Sequence, residues 1–305
     1  MSEALKISVV ICTYNRCVYI RDAMESLYNQ TLGKDAYEVI IVNNNSTDHT
    51  QEVCEHFISN HGKANFYYHN ESKQGASFAR NTGASYARSP LLCFMDDDAI
   101  ADKDYLERIV RFFDTHPDAG GLGGRIIPRY LPSEPAWMSH YVSSLVGHFH
   151  YSKDVTIFAP NKYPLESNMI IRKADFDAIG GFNEALPGVM GTLRIGGEGK
   201  DFFFRLKALG RTIYYDPAIR VQHVVEISKL TREYMYRVAS GIGRGERVRT
   251  LQKGKWTFYK KILEYLLKLG ASLILAIGYT LQGKPVKALP VIRFRIDALK
   301  GLMNH

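Results

Sequence analysis

The sequence predicts an α/β fold: a mostly parallel sheet flanked by helices, followed by a C-terminal amphipathic helical extension. Three observations predict it. Short apolar, β-rich runs alternate with helical stretches through the first hundred residues. The residues just after those runs are polar. The excess positive charge is confined to the end of the chain. Residues 1–227 are expected to form the α/β domain and residues 228–305 a basic helical region.

The elements follow in order. Residues 7–12 are a short apolar run and read as the first strand. Residues 19–30 have helical spacing, with Ile20, Ala23, Met24 and Leu27 on one face. Residues 37–42 are a second strand. Ser46 or Thr47 is expected to cap a helix through Phe57, with Asp48 in its first turn. Residues 65–69, 76–87 and 91–95 read as strand, helix and strand, and residues 102–115 as an amphipathic helix. Residues 120–127 look like a glycine-rich strand, whereas 128–164 are aromatic-rich and carry no clear periodicity. Residues 165–171 are strand-like, 180–184 form a turn, Gly196-Gly197-Glu198-Gly199 opens a helix over 200–209, and 212–215 and 219–221 are short strands. Strands alternating with helices imply a parallel sheet covered on both faces. Ligands of such sheets bind beyond the carboxyl ends of the strands.

Those ends carry Thr13-Tyr14-Asn15-Arg16, then Asn43-Asn44-Asn45-Ser46-Thr47-Asp48, then Asp96-Asp97-Asp98. No G-x-G-x-x-G follows the first strand and no G-x-x-x-x-G-K-[ST] occurs, so dinucleotide and P-loop fingerprints are missing. Three adjacent carboxylates after a buried strand repel one another, and their pKa values rise unless a cation is present. A divalent ion shared with a substrate diphosphate resolves the repulsion; an exposed acidic turn that binds nothing is the alternative. Arg80 can contact a phosphate or a base edge, or be a solvated surface arginine. Tyr14 can stack on a base or pack on the core.

The ordered set Cys12–Arg16, Val42–Asp48, Gln74-Gly75, Ala79-Arg80-Asn81-Thr82-Gly83 and Phe94–Asp98 resembles glycosyltransferase family two, over about residues 5 to 225. The resemblance implies the nucleotide-sugar-binding GT-A fold and a metal-dependent, inverting transfer from a nucleotide sugar, a UDP-sugar first, to a hydroxyl of a glycan or lipid-linked acceptor. Family acceptors include polysaccharides, glycolipids and polyprenyl phosphates. Thr13 and Tyr14 match residues lining the nucleobase pocket. Asn43 stands where the family usually has a base-contacting aspartate, which leaves the base open. Arg80 matches a nucleotide-contacting arginine. Asp98 would hold the metal, Mg²⁺ or Mn²⁺, and Asp96 or Asp97 the ribose. His223 sits where relatives often have a histidine near the metal or diphosphate. Asn168, within Ser167-Asn168-Met169, and Gly181, within residues 180–184, match segments near donor sugar and acceptor. Residues 197–205 are similar to the family pattern G-E-D-x-D-x-x-x-R, but Gly199 stands where the family commonly has its general base. Glu198 is the first choice for that base and Asp201 the second, although Asp201 can instead anchor its own helix. Two rival readings are a catalytically impaired nucleotide-sugar-binding protein, which Gly199 keeps open, and a sugar-phosphate nucleotidyltransferase, whose basic glycine-rich first loop is missing here.

The net charge is +8 over 305 residues. From Ser228 to His305 there are 16 Lys/Arg and 4 Asp/Glu, while the other 227 residues hold 23 and 27. A slightly acidic body with a basic tail argues against a nucleic acid partner. In the tail, residues 256–269 are amphipathic, 269–281 are continuously apolar, and 286–303 are amphipathic again. The 13-residue apolar stretch spans about 20 Å as a helix against a bilayer core of about 30 Å. This predicts attachment to an anionic membrane surface, rather than a full crossing; a helical subdomain packing on the body is the alternative. The cysteines, Cys12, Cys17, Cys54 and Cys93, form no C-x-x-C pair. With a first apolar run too short for a signal peptide, they point to the cytoplasm, at the inner face of the cell membrane.

Overall fold

The structure, a computed structural model, describes residues 4–61, 65–190 and 193–304. The chain divides into two compact units. The first holds the residues up to Ile127 with Phe149–Asn183 and Gly199–Val224; the second holds Pro128–His148, Glu184–Glu198 and the residues from Val225 onward.

The chain opens with β1 (Ile7–Thr13), α1 (Ile20–Tyr28), β2 (Tyr37–Asn43), α2 (Thr50–Asn60), β3 (Phe66–Asn70), α3 (Ala76–Tyr86) and β4 (Leu91–Asp96). Next come β5 (Ala99–Ala101), α4 (Tyr105–Thr115), β6 (Ala119–Tyr130), α5 (His140–Ser143), β7 (Thr156–Ile157), β8 (Asn168–Arg172) and α6 (Lys173–Ala178). The remainder is β9 (Gly188–Met190), β10 (Leu193–Ile195), α7 (Glu198–Ala208), β11 (Thr212–Val225), α8 (Arg232–Gln252), α9 (Lys255–Leu281) and α10 (Ala288–Met303).

The main sheet runs β3-β2-β1-β4-β8-β6-β11-β5, with β7 on β11. The β3-β2-β1-β4 half is parallel, and β8 turns the sheet antiparallel at β4. β1 is apolar at consecutive positions because both of its faces are covered. Ile7, Val9 and Ile11 pack with α1, α2 and α4, while Val10 faces Ala79, Phe94 and Phe176 on the other side. Buried Glu38 is held by the Ser8 hydroxyl at 2.6 Å and by the Arg88 side chain.

Three expectations change. α2 starts at Thr50, and neither Ser46 nor Thr47 caps it: Asp48 accepts from Thr50 N at 3.0 Å. Ser46 and Thr47 instead bind Asn15, through Asn15 N to Ser46 Oγ and Thr47 N to Asn15 Oδ1. The two short strands at 212–215 and 219–221 are one strand, β11, because only Asp216-Pro217 interrupts its apolar pattern. The amphipathic and apolar stretches of the tail, 256–269 and 269–281, are a single helix of 27 residues, α9.

In the second unit β9 and β10 pair antiparallel, and α8 packs on α10 at backbone distance. A Cβ on Gly243 would meet Ala298 O at 2.0 Å, and one on Gly301 would meet Ser240 O at 1.9 Å. Only glycine fits at these two positions. The core here is Met138, Val142, Leu145, Val225, Val238 and Val291.

Candidate active site

The parallel strands end together. Thr13 pairs with Asn43 across β1 and β2, and Cys12 with Asp96 across β1 and β4. The loops beyond them are tied to each other by side chains. Asn15 and Asn45 take positive φ, 54° and 64°, a conformation asparagine tolerates better than most residues. Arg16 N donates to Thr50 Oγ1, and Cys17 N to Asp48 Oδ2. Burial favours the neutral acid at Asp48, but the Thr50 and Cys17 hydrogen bonds outweigh it and hold the carboxyl down at about 2. The Asn44 amide joins the next loop, donating to Glu71 O and Lys73 O and accepting from Gly75 N at 2.7 Å.

A two-residue turn of Asp97 and Asp98 separates β4 from β5. β5 pairs antiparallel with β11, setting Ala99 opposite His223, and Val224 N donates to Asp98 O. This register brings His223 Nε2 to 3.0 Å from Asp98 Oδ1 and 3.9 Å from Asp96 Oδ2. The three ligand atoms lie within 4.8 Å of one another. Ligands of a Mg²⁺ ion stand about 2.1 Å from it, so opposed ones are about 4.2 Å apart; the triad needs only a small contraction. The side chains of Asp98 and His223 are 5% and 8% exposed, while Asp96 is 38% exposed and faces outward. Two carboxylates and an imidazole suit a hard divalent cation. Arg16 approaches the same cluster, 3.8 Å from Asp97 and 3.9 Å from Asp98. Burial, followed by the charge of Asp98, pushes the Asp97 carboxyl up, against the opposing effect of Arg16. Three carboxylates gather here, and a divalent cation fits the cluster. Burial also pushes the Cys12 thiol up to about 12, despite the nearby Arg80, so Cys12 is no nucleophile.

The other predicted residues are placed as follows. Thr13 and Asn43 are buried at the strand ends, and Tyr14 is half-buried beside them. Asn43 Oδ1 accepts from Ser46 N, and its amide donates to Asn70. Arg80, on α3, lies over the Phe182 ring at 5.3 Å. Its neighbour Asn81 clasps Phe182, with Phe182 N to Asn81 Oδ1 at 2.8 Å and the Asn81 amide to Phe182 O at 3.0 Å. Gly181 has φ +69°, and a Cβ there would meet Asn81 Oδ1 at 2.7 Å. Asn168 is fully buried, its amide donating to Arg125 O and Ile219 O and accepting from the Tyr105 hydroxyl. Asp201 is paired with Arg205 at 2.7 Å, and the same arginine donates to Ile179 O and Gly181 O. Glu198, the first residue of α7, is 4% exposed. Sequence reasoning left Arg16, Asn44 and Glu166 unassigned. The first two lie inside polar runs already singled out, whereas Glu166 belongs to no motif.

Fold and site together define a class: a GT-A domain with an Asp/His cluster beyond the carboxyl end of its central strands. The family model of glycosyl transferase family 2 matches residues 8–180, and the chain belongs to that family. The minor teichoic acid biosynthesis protein GgaB of Bacillus subtilis is 33% identical over 109 residues, which are 36% of this chain and 12% of GgaB. EpsH of Bacillus subtilis, named as a glycosyltransferase, is 24% identical over 286 residues, covering 89% of this chain and 76% of EpsH. The chain spans less than half the length of several curated relatives it matches. Among solved structures, the mannosyltransferase PcManGT from Pyrobaculum calidifontis, in complex with GDP-Man and Mn²⁺, superposes with a TM-score of 0.67 at 17% identity, covering 98% of this chain and 87% of that one.

Proposed function

We propose that this chain transfers a sugar from a nucleotide sugar to a hydroxyl of a glycan or lipid-linked acceptor, inverting the anomeric centre, with a divalent cation at Asp96, Asp98 and His223. The convergence of those three side chains within 4.8 Å carries the reading. A bound divalent ion supplies positive charge to the departing diphosphate. Thr13, Tyr14 and Asn43 line the nucleobase side, Asp97 or Asp96 takes the ribose, and Arg80 adds a cation toward the diphosphate. Gly181 and its clasped turn border the sugar. Asn168, matched to that region by sequence, acts there through the backbone it braces. A carboxylate beside the start of α7, where Glu198 and Asp201 lie, removes the acceptor's proton.

A panel of UDP- and GDP-sugars with Mn²⁺ or Mg²⁺, read by nucleoside diphosphate release, tests the reading. Release that stops when the metal is chelated supports it. Diphosphate release instead would indicate a nucleotidyltransferase, and binding with no turnover on any acceptor would indicate an impaired module, the reading that Gly199 keeps open.

We place the protein at the inner face of the cell membrane, in polysaccharide or glycolipid synthesis. α9 is the one helix among the described residues long and apolar enough to cross a membrane. Its charges, from Lys255 to Lys268, occupy the first half, leaving the 13 residues 269–281 uncharged. Trp256, Leu267, Ile274, Ile277 and Leu281 are exposed along it. About 20 Å of uncharged helix suits shallow insertion beside the basic residues of the tail. The second unit also contains an apolar cavity of about 550 Å³, walled by Trp137, Leu145, Met235, Leu289 and Phe294, with Arg232 at its edge. That combination supports a lipid-linked acceptor bearing a phosphate.

A further inference from the structure

The transfer reading requires a carboxylate able to meet an acceptor hydroxyl, and the side chains nearest the start of α7 supply it unequally. Asp201 is committed to Arg205 at 2.7 Å, and through it to the turn at Ile179 and Gly181. Glu198 is 4% exposed. Glu166 differs from both. It is partly exposed and lies two residues before β8, whose Asn168 pairs with Met95 of β4. The antiparallel register therefore brings Glu166 out of the sheet at the end where Asp96, Asp97 and Asp98 leave it.

Its carboxylate then folds onto residue 199. Glu166 Oε1 accepts from Gly199 N at 2.8 Å. A Cβ built on Gly199 would stand 2.2 Å from Glu166 Oε1, 2.5 Å from Cδ and 2.8 Å from Cγ. These separations are impossible for real atoms, so a side chain at 199 would displace the Glu166 carboxylate from this position. Glycine at 199 is what admits Glu166.

We infer that Glu166 is the general base of the transfer, entering from the turn before β8 into the space left by Gly199. Oε1 is held by the Gly199 amide, which fixes the carboxylate, and Oε2 receives the proton. The acceptor O–H bond breaks toward Oε2, and the acceptor oxygen bonds the anomeric carbon. The bond from that carbon to the diphosphate breaks, and the nucleoside diphosphate leaves with its electron pair. The inference rests on the transfer reading.

The test uses the full chain, a donor that the wild type turns over, and an acceptor. Glu166→Gln keeps the size and can still accept from Gly199 N. It is expected to lower kcat by about 10²–10⁴, to remove the acidic limb of the pH–rate profile, and to leave nucleotide binding and melting temperature unchanged. Gly199→Asp alone is expected to disrupt the site through the overlap. Glu166→Ala with Gly199→Asp, where the space is vacated and a carboxylate returns from the other backbone, is expected to recover part of the rate lost in Glu166→Ala. A Glu166→Gln enzyme with kcat within threefold of wild type but a lowered melting temperature makes Glu166 an anchor for α7 and overturns the assignment. So does a Glu198→Gln variant that alone loses the acidic limb. If the wild type releases no nucleoside diphosphate from any donor, the transfer reading falls and this assignment with it; release by wild type and Glu166→Gln alike overturns the assignment only.

Discussion

Replacing Asn168 by alanine separates support from chemistry. The amide lies within the sheet and makes three hydrogen bonds, to Arg125 O at 3.1 Å, to Ile219 O at 3.1 Å and from the Tyr105 hydroxyl at 2.8 Å. The residue is fully buried, so no water replaces these partners. The two carbonyls left dry cost about 1–3 kcal/mol each, and the Tyr105 hydroxyl, which keeps Cys93 Sγ as a partner, loses about 1 kcal/mol at most. Asn168→Ala should therefore destabilise the fold by about 3–6 kcal/mol, a large share of the ~5–15 kcal/mol typical of a folded domain. Urea unfolding followed by circular dichroism, with the slope held common to both proteins, measures it. At low temperature the folded fraction should keep nearly wild-type KM for the donor. A loss below about 1 kcal/mol together with a large rise in donor KM would refute the structural role and return Asn168 to the sugar.

Three further outcomes are expected. Asp98→Ala should lower metal-dependent turnover at least about a hundredfold, since the cation's charge on a leaving group is worth several kcal/mol; calorimetry with Mn²⁺ and nucleoside diphosphate should show the paired loss of metal affinity, and undiminished affinity would remove Asp98 as a ligand. Asp48 titrates near 2 in the folded chain against an ordinary value of 3.8. Its contribution to stability is therefore complete above about pH 5 and fades as pH falls toward 2; the melting temperature of wild type, but not of Asp48→Asn, should carry this component between pH 5 and pH 3. Flotation with anionic vesicles should capture the full chain and fail for Leu267→Glu with Ile274→Glu, with donor turnover in solution unchanged; equal flotation would place the apolar face of α9 elsewhere than in lipid.

Local pattern was enough to read the parallel half of the sheet. β1, β2 and β4 are buried on both faces, and each is followed directly by the polar residues that form the site. The same pattern misleads where a single chain segment does two jobs. Asp48 accepts from Thr50 N at the start of α2 and from Cys17 N, while Ser46 and Thr47 bind Asn15. β5 is three residues long, too short to show alternation, yet its pairing with β11 places His223 on Asp98. The stretch 128–164 gave no periodicity because it holds the end of β6, a single turn of α5 and two residues of β7, and its residues are divided between the two units.

The carboxylates at the start of α7 mark a different limit. A motif can reveal that position 199 lacks a side chain, because the neighbours Glu198, Asp201 and Arg205 keep their spacing. It cannot reveal what fills the gap, because the filler is 33 residues away in sequence and follows no pattern of its own. Loss of a side chain in a packed site is a change of volume as well as of chemistry, and packed interiors leave little volume empty. At Gly199 the space is taken by a carboxylate, not by an apolar group. An apolar neighbour would have filled the volume and left the Gly199 amide without an acceptor, whereas Glu166 satisfies the amide and returns an ionisable group to the same spot. A glycine in the place of an acid is thus a local absence, and whether it is an absence from the site depends on residues that only the fold brings near.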